Sequence, residues 1–227
     1  MQMNWRAVQA RLADLGFDPG PIDGLRGPRT DAALAAFKRS VGLVERVPFG
    51  PLTEAALLGG AQVRARAELP WMAEAGRMLG LHEARDTSRL RGWFDRSVAW
   101  IDPREVAWCG AFVASCLRAA NPGIGLPDNP LGARAWGTFG KPCDPVFGAV
   151  LTFWRGRRAG WQGHVGFYWG EDATAYHVLG GNQSDAVTVT RIAKGRLLDA
   201  RWPADLPVTG RQILLSVAGQ PLSTNEA

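Results

Sequence analysis

Apolar residues near the start of the chain recur at helical spacing: Trp5, Val8 and Leu12, then Ala32, Leu34, Ala35 and Phe37, then Leu52, Ala55, Ala56 and Leu57. Such i, i+3, i+4 stripes predict three helices, each with one buried face. Between the first two lies LGFDPGPIDGLRGPRT (15–30), dense in turn formers. Thr30 is expected to cap the second helix, with Asp31 in its positive first turn. Gly50-Pro51-Leu52-Thr53 repeats the device before the third, where Thr53 is the expected cap. Residues 59–69 pair two glycines with charges and few large apolar groups, as a linker does. Further on, helices are expected over 70–79, opening on Pro70, and over 108–120, closed by Asn121-Pro122-Gly123. Runs of strand character follow at 148–154, 164–169, 175–179 and 186–192, separated by Gly, Asn and Asp turns. Helices first and strands afterwards predict an α+β fold with an antiparallel sheet. The predicted organisation is a three-helix module over 1–58, a linker over 59–69, a larger domain over 70–206 and a tail over 207–227, whose one apolar stretch is 213–217.

With 227 residues, 46% of them hydrophobic and 21% charged, the chain lies in the globular range, which excludes a wholly disordered protein. No apolar run approaches the roughly 18 to 20 residues that span a bilayer, so no membrane span is expected. The first twelve residues hold Arg6 and Arg11 and no continuous apolar core of a secretory signal. The net charge of +5 favours polyanions or an anionic wall over acidic partners. Basic residues cluster only at Arg155, Arg157 and Arg158, beside Trp154 and Trp161, too short a patch to predict nucleic-acid binding. Most of the ten tryptophans are expected in the core.

Three cysteines, an odd number without CxxC or Cys/His spacing, support neither a disulfide framework nor a structural zinc site. Cys109 opens an apolar helix, where the positive end of the helix dipole is expected to depress its pKa. Cys116, two turns deeper, reads as core, and Cys143 sits in a proline-rich loop. A thiol nucleophile needs an imidazole. His164, in Gly163-His164-Val165-Gly166, starts a strand with glycines that would let a substrate backbone approach. His82 reads as a surface residue at a helix end, and His177 has bulky neighbours. Asn182, beyond the next strand, is the candidate that orients the imidazole, with Asp185 as its rival. Trp108 and Gly163, beside the two reactive groups, are candidate substrate contacts. Asp23 and Gly24 are candidate ligand contacts of the N-terminal module, or residues that shape its turn.

The LGFDPGPIDG turn, the GPRTDAALAAFKRSVGL segment and the degenerate GPLTEAALL resemble the peptidoglycan-binding domain 1 family, which implies a three-helix module that binds bacterial peptidoglycan. In the second domain, PWMA at 70–73, EVAWCGAFV at 105–113, GHVGFY at 163–168, LGGNQS at 179–184 and RWP at 201–203 resemble successive blocks of cell-wall hydrolases in the NlpC/P60 and CHAP superfamily. That resemblance implies a papain-like cysteine hydrolase of peptidoglycan, with helices packed on an antiparallel sheet. It implies Cys109 as nucleophile, His164 as base and Asn182 as the polar third residue, with no metal or cofactor. One departure is visible: many CHAP domains carry a glutamate two residues before this asparagine, where this chain has Gly180. The expected protein is a monomer that acts on the wall as an amidase or an endopeptidase. Lacking a signal, it is expected to be made in the cytoplasm and released by other means, as a phage or prophage product is. The competing expectation is a non-catalytic wall-binding or virion structural protein with a decayed papain-like domain.

Overall fold

The computed structural model describes residues 4–14, 16–40, 49–50, 53–54, 57, 69–215 and 222–223. The chain divides into two compact units, Met1–Glu68 and Leu69–Ala227.

In the first unit, α1 (Trp5–Asp14) and α2 (Pro28–Ser40) bury Val8, Leu12, Leu34 and Phe37 of the stripe read from the sequence, while Trp5 and Ala35 are part-buried and Ala32 is exposed. The turn between them is organised by a buried amide. Gln9 Nε2 donates to Asp23 Oδ1 at 3.0 Å, to the Leu25 carbonyl at 2.9 Å and to Thr30 Oγ1 at 3.2 Å, while Gln9 Oε1 accepts the Gly24 N–H at 2.8 Å. Thr30 does not cap α2. The helix starts two residues earlier, with Pro28, whose missing N–H costs nothing in a first turn, and Thr30 Oγ1 instead donates to the Pro19 carbonyl at 3.0 Å. The repeated device is the glycine: Asp31 N–H donates to Gly27 O and Glu54 N–H to Gly50 O. Thr53, Glu54 and Leu57 are helical. The rest of the expected third helix, and all of the expected linker except Leu69, lie outside the described residues.

The second unit is α+β, as expected. Three helices, α3 (Pro70–Arg77), α4 (Glu83–Trp93) and α5 (Cys109–Ala120), precede six strands: β1 (Lys141–Pro142), β2 (Val150–Trp154), β3 (Gly163–Glu171), β4 (Ala175–Gly180), β5 (Thr188–Ala193) and β6 (Leu197–Trp202). They form one antiparallel sheet in the order β1-β6-β2-β3-β4-β5. Helix α5 is buried from Cys109 to Leu117 and lies against β3 and α3. Phe112 meets Phe167 of β3 with ring centroids 6.2 Å apart. Trp108, Trp136, Trp169 and Trp202 are fully buried.

Three elements escaped the pattern reading. Helix α4 is polar almost all round and buries only Leu90, so it shows no stripe. Strand β6 carries Asp199 and Arg201 although it lies between β1 and β2. Strand β1 spans two residues. His82 does not end a helix; it begins one, its Nδ1 accepting the Ala84 N–H at 3.2 Å as the cap of α4. Residues beyond Leu206, expected as a tail, pair with the sheet: Glu171 N–H donates to Ile213 O at 2.8 Å and Leu215 N–H to Glu171 O at 2.7 Å.

Candidate active site

Cys109 is the first residue of α5, and the preceding Trp108 offers no side-chain cap. The first N–H groups of the helix therefore have no intrahelical partner. Backbone N–H groups of Val165, Gly110 and Cys109 itself favour the Cys109 thiolate, and the packing of α5 on β3 sets the thiol near Val165, the residue after His164. Burial pushes the Cys109 thiol pKa up. The Val165 and Gly110 N–H groups and the Arg155 guanidinium pull it back, and burial prevails. The depressed thiol expected from the dipole alone is thus corrected: 5% of Cys109 is exposed, and the desolvation of a thiolate outweighs a few partial charges.

His164 lies on β3 opposite Phe153 of β2 and is fully buried. Its Nε2 is 3.0 Å from Gln183 Oε1. The orientation of that amide follows from its other end: Gln183 Nε2 donates to the carbonyls of Thr188 at 2.6 Å, Val178 at 3.3 Å and Gly180 at 3.3 Å. Carbonyls only accept, so the nitrogen must face them and the oxygen must face the ring. His164 Nε2 then carries a proton, and in the neutral form of the ring the lone pair lies on Nδ1.

The contact expected of Asn182 is made at Nε2 by the next residue. Phe167 pairs with Leu179, and continuing that register by three residues would set Asn182 across from His164. The strand ends at Gly180 instead, and Asn182, Ser184 and Asp185 take φ of 54°, 53° and 61°. This left-handed turn, strained for residues with a Cβ, carries Gln183 under the ring. Asn182 is buried beside it, and Asp185 is exposed. A Cβ on Gly180 would lie 3.0 Å from Gln183 Oε1 and 3.2 Å from His164 Nε2, so the glycine that departs from the CHAP pattern is what lets the pair meet. Gln183 was missed because a glutamine in a turn gives no signal in sequence.

Trp108 is fully buried, its Nε1–H donates to Glu83 Oε2 at 2.9 Å and its ring lies 6.1 Å from that of Phe94, so it offers no face to a ligand. Gly163 and Gly166 do not leave open space. A Cβ on Gly163 would lie 2.9 Å from the Phe153 carbonyl and 3.0 Å from Arg134 Cγ, and one on Gly166 would lie 2.6 Å from Val178 Cγ1. Asp23 and Gly24 are held by Gln9 within the N-terminal turn, and Gly24 has φ +83°. Cys116 is fully buried. Half-buried Cys143 has its thiol pKa pushed up to about 11 by burial and by Asp144. His177 is bound through Nε2 to Asp172 Oδ2 at 2.8 Å, far along the sheet from Cys109. One cavity, of about 390 Å³, is lined by Trp154, Arg155, Gln162 and Arg196, at the end of β2 that leads to His164. Another, of about 410 Å³, lies between the loop after α5 and residues 203–206. Among the described residues, no three or more His, Cys, Asp or Glu side chains gather to hold a metal. No helix among them is long and apolar enough to cross a membrane.

No curated protein matches the chain, and no solved structure matches it. A family model does match part of it. Residues 2–45, which include α1, the Gln9-centred turn and α2, match the putative peptidoglycan binding domain, which points to peptidoglycan as a partner of the N-terminal unit.

Proposed function

We propose that the protein is a peptidoglycan hydrolase of the NlpC/P60 and CHAP type, in which the second unit cleaves an amide of the wall peptide through an acyl-enzyme on Cys109. The observation that supports this reading is the Cys109 thiol under the influence of the Val165 N–H, one residue along β3 from His164, whose Nε2 faces Gln183 Oε1. His164 Nδ1 takes the thiol proton as sulfur attacks the carbonyl, and returns it to the leaving amine. The uncapped N–H groups of α5 receive the developing oxyanion. Water then attacks the thioester as its proton passes to Nδ1, the C–S bond breaks to release the acid, and Nδ1 returns that proton to the Cys109 sulfur. Because burial holds the thiol protonated, the proton moves during attack and not before it. Gln183 keeps Nε2 protonated throughout, the task expected of Asn182.

A second reading is a wall-binding protein without turnover, favoured by the near-complete burial of Cys109. One experiment separates the two. Purified peptidoglycan is incubated with the parental protein and with Cys109→Ala, and released fragments are identified by mass spectrometry, which also shows which amide is cut. New termini with the parental protein and none with Cys109→Ala support hydrolysis. Release by neither, or by both equally, sinks it.

A further inference from the structure

Trp154 pairs with Gly163 and Phe153 with His164, so the loop 155–162 leaves the sheet beside the imidazole. It carries Arg155, Arg157 and Arg158 and no acidic residue. Arg157 and Arg158 are exposed, and Trp161 is 86% exposed. A fourth guanidinium holds the loop in shape: Arg134 Nε donates to the Gln162 carbonyl at 2.8 Å, and its terminal nitrogen to the Arg158 carbonyl at 3.0 Å. Among the described residues, Arg134, Arg157 and Arg158 form no ion pair. The 390 Å³ cavity opens at the base of the loop, where Arg155 and Arg196 both line it and the Arg196 guanidinium lies 5.8 Å from the Trp154 ring centre.

Arg134, Arg157 and Arg158 meet at this loop with no carboxylate bound to them among the described residues, and an anion supplied from outside relieves the repulsion of such like charges. Guanidinium groups match carboxylates with paired hydrogen bonds. The loop leaves the sheet one residue pair from His164, and each residue of an extended peptide advances about 3.3 Å, so the loop is placed to meet groups a few residues along a peptide whose amide is held at Cys109. We propose that the 155–162 loop is a specificity element that receives free carboxylates of the wall peptide, so that the site selects stems whose carboxyl groups are not amidated. This rests on the hydrolase reading for the peptide's place at Cys109. The Arg155 guanidinium favours the Cys109 thiolate, and the exposed Trp161 adds a flat apolar face for the peptide.

The test is made on full-length Cys109→Ala, so that binding is read without turnover. Calorimetry compares a synthetic stem tetrapeptide with free carboxylates and the same peptide with every carboxylate amidated. The acid form is expected to bind about tenfold tighter, as one charge-assisted pair provides, with the ratio shrinking at high salt. Adding Arg155→Gln, Arg157→Gln and Arg158→Gln brings the ratio to one. The Arg157→Gln single variant, which keeps the backbone carbonyls that Arg134 uses, lowers it part-way. Equal binding of both peptides, no binding of either, an unchanged ratio in the triple variant, or stronger binding of a single-stranded oligonucleotide each overturn the proposal. Turnover by the parental enzyme is scored separately. If it cuts both peptides at the same KM, the selectivity fails and the hydrolase reading survives. Cleavage of neither, with the binding ratio intact, leaves a carboxylate-selective binder and ends the hydrolase reading.

Discussion

One added carbon at Gly180 would press on both His164 Nε2 and Gln183 Oε1, so Gly180→Ala tests the pair with the smallest change. We expect a fall in kcat with an unaltered circular dichroism spectrum; unchanged kcat would show that the contact is dispensable. Gln183→Ala removes the acceptor and frees the ring to change tautomer, with an expected loss of about 100-fold in kcat/KM, the scale of a misplaced catalytic group, while Asn182→Ala loses less. The reverse order of the two variants would return the orienting role to Asn182. Burial raises the Cys109 pKa, so its alkylation by iodoacetamide should keep accelerating as pH rises above 7. A rate already level below pH 7 would contradict the direction of that shift.

At the scale of elements, the site depends on a strand that stops and a loop that docks. Residues 182–187 leave β4 and meet the start of α4 and the segment before it: Glu83 N–H donates to Asp185 O, and Gly80 N–H to Val187 O, each at 2.8 Å. Glu83 also accepts the Trp108 indole N–H, so it ties the Gln183 turn to the start of α5. Glu83→Ala leaves that buried donor unsatisfied, an expected cost of about 1–3 kcal/mol in urea unfolding, and Glu83→Gln restores most of it. Equal stability of parent and Glu83→Ala would show that the tie carries nothing. The α5 and β3 segments were legible because apolar periodicity and flanking glycines mark them. Helix α4 was not, because a helix held by caps and by one buried leucine leaves no stripe.

For the whole molecule, acid stability is decided far from Cys109. Burial pushes the Asp172 carboxyl up, but the Arg191 guanidinium, the Thr174 N–H and His177 outweigh it and hold its pKa well below the usual range. Burial also lowers the pKa of His177, against the pull of Asp172. Both signs agree. The unfolded chain protonates its histidine as pH falls through about 6.5 and its aspartate through about 4, before the folded chain protonates either group, so stability drops on acidification. Asp172→Asn should cost about 2 kcal/mol at pH 7, the scale of a hydrogen bond to a charged group, and its deficit should shrink below pH 4; thermal melts at pH 7 and pH 3 check this, and an equal deficit at both would refute it. A chain starting at Leu69 should lose wall association more than cleavage of a soluble fragment, since tethering raises the local concentration of bonds. Equal loss on both substrates would make the first unit structural.

The sequence by itself determined the α+β class, the N-terminal match to a wall-binding family and the order in which cysteine and histidine arrive, because periodicity, turn residues and motifs are local. Tertiary structure alone decided which side chain meets the imidazole, how far the thiol is desolvated and where the glycines' space goes. Those depend on where one strand ends against another. A change of one residue in that ending moved the contact from Asn182 to Gln183, and burial reversed the direction that the helix dipole alone gives to the thiol.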